Sequence, residues 1–174
     1  ANRLGIGMVH QHFKLVHNFT VAENIVLGAE PGNGLKLNMK QAVRRVQELS
    51  ERYGLAIDPN ARTDKITVGM QQRTEILKML YRDANILIFD EPTAGLDPEE
   101  RLRFQSIISE IKKDKIILIS THIVEDVHAV CETVAVMRDG KIIKNGTREE
   151  MAACAEGKTY IIDCLLYTSD AADD

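Results

Sequence analysis

Apolar positions change their rhythm along this chain. From Asn38, the residues Met39, Ala42, Val43, Val46 and Leu49 fall three or four apart, which predicts a helix. Asn38 with Gln41 is a capping-box pattern, and Gly54 is a suitable stop. A second helix is predicted over Val68–Arg82, with Ile76, Leu77 and Leu80 as its stripe. Ahead of these lie a short apolar strand within residues 5–10, a helix over Val21–Gly28, and a Gly/Pro/Asn loop at 31–34. Further on the rhythm becomes continuous. Ile86–Phe89 and Ile116–Ile119 are unbroken apolar runs, as expected for parallel strands buried on both faces.

Between those runs, Asp97-Pro98-Glu99-Glu100 supplies an N-cap, a proline at N1 and a glutamate at N3, so a helix starts there. Another helix is predicted over 123–130. Thr133–Met137 and Lys141–Lys144 flank Asp139-Gly140, a tight-hairpin signal, and Thr147 with Glu150 opens a last short helix. The strand–helix–strand alternation over 85–137 argues for a parallel α/β core, whereas the mostly helical 13–82 stretch looks like a separate lobe.

Composition narrows the class. Across 174 residues, 44% are hydrophobic and 28% charged, ordinary for a globular chain with a proper core. No apolar run approaches the roughly 20 residues of a membrane-spanning helix. The formal charge is −4, with 22 basic and 26 acidic residues, and no Lys/Arg cluster forms a face, which argues against a nucleic-acid partner. Cys131, Cys154 and Cys164 are odd in number without CxxC spacing, and read as reduced thiols of a cytosolic protein.

The sharpest chemical signal is an apolar run ending in acid: Asp90-Glu91-Pro92-Thr93. Ligands of open α/β sheets bind at the carboxyl ends of strands, where both acids would sit. Adjacent carboxylates there can divide two jobs, one holding Mg²⁺ through water and the other polarising an attacking water. On its own, an acid pair is equally a solvated strand exit. Thr67–Gly69 lies at a predicted helix start, where free N–H groups favour a phosphate and Gly69 lets the backbone approach it. Alone, such a segment is more often a simple N-cap. Of the histidines, His122 follows a predicted strand and suits a phosphate contact. His10, His12, His17 and His128 read as surface or half-buried side chains, and no third ligand supports zinc at His10 and His12.

Taken in order, Gln11, the TVGMQQR segment, DEPTAGLDP and the His-bearing STH resemble the nucleotide-binding domain of ABC transporters over residues 5–150 or so. The resemblance implies a partial P-loop NTPase (RecA-like) fold, an α/β parallel-sheet core with an inserted helical signature subdomain. It divides the chain into the Q-loop end of the core (1–12), the helical subdomain (13–83), the core with the catalytic strand ends (84–150), an extension (151–163) and a non-native tail (164–174). It also implies an ATPase whose cofactors are ATP and Mg²⁺. In that family Asp90 would carry Mg²⁺ and Glu91 would be the general base. Gln11 would contact Mg²⁺ and the attacking water and face the membrane subunit. His122 would contact the γ-phosphate. Thr67, Val68, Gly69, Met70 and Gln71 match the signature loop, and Asp97 the D-loop aspartate. The implied partners are a second nucleotide-binding domain, clamped head to tail, and transmembrane permease subunits, with the chain at the cytoplasmic face of the plasma membrane.

The same resemblance shows what the chain lacks. A site of this class needs GxxxxGK(S/T), whose backbone and Lys hold the phosphates. The Gly157-Lys158-Thr159 string has Ala152 where the first glycine belongs and follows a predicted helix instead of a strand, so it is a decoy. The expectation is a phosphate loop ahead of Ala1, and little ATP binding by these residues alone. The front, through TVGMQQRTEILKMLYR, is similar to simple-sugar and nucleoside importer ATPases, in which Met70 replaces the usual signature glutamine. The back is more similar to multidrug-type exporter ATPases. The change falls at DEPTAGLDP, which both groups share, so a hybrid-looking natural member and two joined genes are the alternatives, the join being favoured. A non-catalytic fragment is the reading from outside the enzyme class. The string CLLYTSDAAD from Cys164 resembles a translated sequencing adapter, and is otherwise a short polar end.

Overall fold

The computed structural model describes residues 4–11, 13–31 and 38–154. His12, most of the expected 31–34 loop, the Gly157-Lys158-Thr159 string and the stretch from Cys164 lie outside them. The chain divides after Val130 into two compact units.

The first unit is built on three parallel strands, β1 (Ile6–Val9), β2 (Ile86–Asp90) and β3 (Ile116–Ser120), in the order β1-β2-β3. Its helices are α1 (Val21–Val26), α2 (Met39–Arg52), α3 (Val68–Tyr81), α4 (Pro98–Ile111) and α5 (Val124–Val130). Caps explain the helix starts. Thr20 and Glu23 form a reciprocal capping box at α1. At α2 Asn38 accepts from the Gln41 N–H at 3.1 Å, the single half of the expected box that forms. Gly54 takes a positive φ of 65° after α2, as the stop signal required. The predicted stripe of α3 is buried, with Ile76, Leu77 and Leu80 all in the core.

Strand register sorts the sheet into two faces. Gly7, Leu87 and Ile117 form one row and Val9, Phe89 and Ile119 the next, all on one face. Helices cover that face. A Cβ on Gly7 would meet Met79 Sδ of α3 at 2.9 Å, and Phe104 of α4 meets Phe89 edge-on with centroids 5.7 Å apart. The other face carries Ile6, Ile86 and Ile116, then Met8, Ile88 and Leu118. Ile116 is 65% and Leu118 58% exposed. Burial of β3 on both faces is therefore corrected, while Ile86 and Ile88 of β2 are half-buried on that face. An aliphatic run specifies strand backbone, but burial needs a covering layer, and α3 and α4 lie on the same side.

The second unit begins at Cys131. β4 (Thr133–Arg138) and β5 (Lys141–Thr147) pair antiparallel, followed by α6 (Arg148–Ala153) under a Thr147–Glu150 capping box. Asp139 and Gly140 both have positive φ, 50° and 73°, as a two-residue primed turn demands. The expectation that the parallel alternation runs on to residue 137 is corrected here. The tight turn commits Thr133–Arg138 to its immediate neighbour in sequence, and among the described residues it joins no parallel strand.

Candidate functional site

All three parallel strands end at the same edge of the sheet. Val9 is level with Phe89, and Phe89 with Ile119, so Gln11, Asp90-Glu91 and Thr121-His122 leave the sheet at one level. This is where ligands of open parallel sheets bind. Topology, and no local sequence feature, gathers these residues from across the chain.

Glu91 has φ 46°, a left-handed conformation uncommon for a residue with a Cβ. Its N–H donates to the Ser120 carbonyl at 2.8 Å, extending the β2–β3 ladder by one bond before the chain turns. The side chain lies against His122, with Oε1 at 2.9 Å from Nδ1. His122 is 79% exposed and Glu91 23%. The second oxygen, Oε2, is buried with no hydrogen-bond partner. A buried carboxylate oxygen without a partner is costly, and it stands ready to accept a hydrogen bond from a water or a hydroxyl.

Asp90 is half-buried at the end of β2, and Gln11 is exposed beyond β1. Both are oxygen donors, which suits a hard cation such as Mg²⁺ that keeps several waters and takes few protein ligands. Among the described residues no group of three or more His, Cys, Asp or Glu forms a metal cage.

The TVGMQ segment starts α3. Thr67 Oγ1 accepts from the Met70 N–H at 3.2 Å and the Thr67 carbonyl from Gln71 at 2.9 Å, which leaves the Val68 and Gly69 N–H groups as the unused donors of the first turn. Gly69 is needed for a reason the sequence does not reveal. A Cβ there would lie 2.2 Å from Glu100 Oε2, so the close approach is to a carboxylate of this same chain. Glu100 in turn pairs with Arg73 of α3 at 3.1 Å, the Arg73 side chain being 3% exposed. Burial pulls the Arg73 guanidinium down from its ordinary pKa, and Glu100 opposes that shift. Asp97 caps α4 by accepting from the Glu100 N–H at 2.8 Å. The starts of α3 and α4, carrying the two loop motifs, are thus tied to one another.

Two further contacts were not legible in the sequence. Gln72 of α3 donates to the Pro92 carbonyl, and the Thr93 hydroxyl donates to Asp126 of α5. A Gln next to an Arg in a helix, and an Asp inside an acidic helix start, carry no signal of burial. The expected site residues therefore fall into two groups: Gln11, Asp90, Glu91 and His122 at the sheet edge, and Thr67–Gln71 with Asp97 at the α3 and α4 starts. A hollow of about 440 Å³ lies elsewhere, lined by Gln41, Arg44, Arg45 and Tyr81 among others.

The chain is similar to known proteins. The family model described as ABC transporter matches residues 1–94. The nucleoside import ATP-binding protein NupA of Lactococcus lactis is 48% identical over 165 residues, covering 91% of this chain and 33% of NupA. The guanosine import ATP-binding protein NupO of Bacillus subtilis is 49% identical over 164 residues, covering 91% of this chain and 32% of NupO. Among solved structures, cbiO1 from Clostridium perfringens, part of the ABC transporter complex cbiONQ, aligns with a TM-score of 0.73 and 30% identity over 87% of this chain and 60% of its own. The chain spans about a third of the length of these two curated relatives. A match over 91% of the chain runs through Asp90–Pro98, so the nucleoside importers are similar to it on both sides of that string. The chain belongs to the ABC transporter family.

Proposed function

We propose that these residues serve an ATP-hydrolysing subunit of an ABC importer of nucleosides or simple sugars. The observation that carries the reading is Glu91: a carboxylate at the strand end, in a left-handed turn, with one oxygen on His122 and the other buried and free. A carboxylate so placed suits a general base that takes a proton from a positioned water. The names of NupA and NupO support the substrate class.

The remaining roles follow from placement. Asp90 and Gln11 would hold Mg²⁺, which when bound offsets phosphate charge. Gln11 faces outward at the sheet edge, where it can also orient the attacking water and meet a membrane subunit. His122 holds the Glu91 carboxylate through Nδ1 and presents the rest of its exposed ring to the γ-phosphate. The signature loop of Thr67, Val68, Gly69, Met70 and Gln71 would offer the free N–H groups of Val68 and Gly69 to a phosphate of a second copy, with Asp97 beside them. Two copies arranged head to tail would complete each other's sites, on the cytoplasmic face of a membrane permease. Among the described residues no helix is long and apolar enough to cross a membrane. On this reading 13–83 is the helical subdomain and 84–150 the core.

The test is Glu91→Gln in a complete subunit that includes a GxxxxGK(S/T) loop. Turnover should fall by a factor of about 100 or more while ATP is retained in a dimer. Unchanged turnover would remove Glu91 from the chemistry and the reading with it.

A further inference from the structure

The turn that carries Glu91 is gripped from two sides by side chains to which no chemistry has been assigned. Gln72 on α3, 3% exposed, donates through Nε2 to the Pro92 carbonyl. Thr93, fully buried, donates its hydroxyl to Oδ2 of Asp126 on α5, a residue 1% exposed. Asp126 Oδ1 is buried and has no partner. As fold stabilisers these are poor choices. A buried carboxylate with a single neutral donor costs free energy that an aliphatic side chain of similar size would not. Their position gives them another purpose. A residue with a Cβ stays in the left-handed region when its surroundings over-determine it. Here the Glu91 N–H, the Pro92 carbonyl and the Thr93 hydroxyl, on three successive residues, are each fixed by a different element: β3, α3 and α5.

We propose that Gln72 and Asp126 are positioning residues that aim the Glu91 carboxylate, so that α3 and α5 both determine where it points. Gln72 stands one helical turn beyond Gly69, and Asp126 lies in the first turn of α5, four residues after His122. A displacement at the start of α3, where a phosphate of a second copy would dock, therefore reaches the Glu91 turn through a single amide hydrogen bond. The proposal rests on Glu91 being the base.

The experiment uses a complete subunit with a GxxxxGK(S/T) loop. Gln72→Met and Thr93→Val each remove one hydrogen bond with little change of volume. Each should lower kcat about ten- to a hundredfold, the cost of an ångström-scale misplacement, with KM for ATP unchanged. Thr93→Ser keeps the hydroxyl and should restore kcat. Amide exchange at Glu91 should accelerate in both variants while that at Phe89, deeper in β2, does not. If Glu91→Gln is inactive but Gln72→Met and Thr93→Val turn over normally, the positioning role fails and the base survives. If Glu91→Gln turns over normally, the underlying reading fails. A general loss of amide protection, or a KM that rises as kcat falls, would assign both residues to folding and overturn the proposal.

Discussion

The two faces of the three-stranded sheet are made from the same kinds of residue and lead different lives. On one, Val9, Leu87 and Phe89 are closed under α3 and α4; on the other, Ile116 and Leu118 of β3 are largely open. Adjacent positions in a strand point to opposite faces, so Ile117 and Leu118 are neighbours in sequence and belong to different environments. The difference teaches that an aliphatic run decides that a strand forms, and a second layer decides what that strand contributes to stability. The geometry of the proposed site depends on the covered face, because α3, which lies on it, sends Gln72 to the Pro92 carbonyl in the turn after β2.

The largest test of that contrast is a matched pair of truncations. Phe89→Ala removes a fully buried ring that stacks edge-on against Phe104 and should destabilise by about 3–5 kcal/mol. Leu118→Ala, on the open face, should cost less than about 1 kcal/mol, because most of that side chain is already in water. Urea melts of both variants check this. Equal losses would break the comparison, by showing the open face to be covered in solution.

A smaller change sharpens it within the covered layer. Gly69→Ala would gain helix propensity of about 1 kcal/mol at an ordinary site. Here the added methyl would collide with the Glu100 carboxylate, which cannot simply swing away because it neutralises the buried Arg73. A net loss of about 1–3 kcal/mol is expected in thermal melts. Adding Glu100→Gln should bring the two changes out of additivity, since both act on one carboxylate. Additive losses would show that Gly69 and Glu100 do not meet.

These contrasts also mark what the sequence could reveal. Strand and helix positions were legible because they rest on local physics: Asn38, Thr67 and Asp97 cap where expected, and Asp139-Gly140 turns the hairpin. The strand-end acids were legible because Asp90-Glu91 closes an apolar run, and the ordered motifs carried the family resemblance. Burial of β3 was not legible, since nothing in Ile116–Ile119 records on which side helices will lie. Nor was the purpose of Gly69, whose neighbour Glu100 lies across the α3–α4 seam. Gln72 and Asp126 escaped for the same reason. Their partners, Pro92 and Thr93, are 20 and 33 residues away, and pairing at that distance leaves no periodicity.

The smallest expected effect on stability is the most discriminating for the open face. Leu118→Lys places a charge on the edge strand of the Met8–Ile88–Leu118 face of the sheet. Its long side chain can keep its charge in water from a position 58% exposed, so stability should shift by no more than about 0.5 kcal/mol. Association should shift much more. An open aliphatic face spread over two cross-strand rows would favour adhesion between copies of the chain, and a charge placed on it must be desolvated for them to adhere. Light scattering at matched concentration should therefore fall in Leu118→Lys while the melting curve stays in place. The same substitution at Leu87, beneath α3 and α4, should abolish the cooperative melt, because there the ammonium has no route to water. A Leu118→Lys chain that unfolds like Leu87→Lys would mean that both faces are covered in solution, and that β3 is as buried as its aliphatic sequence first suggests.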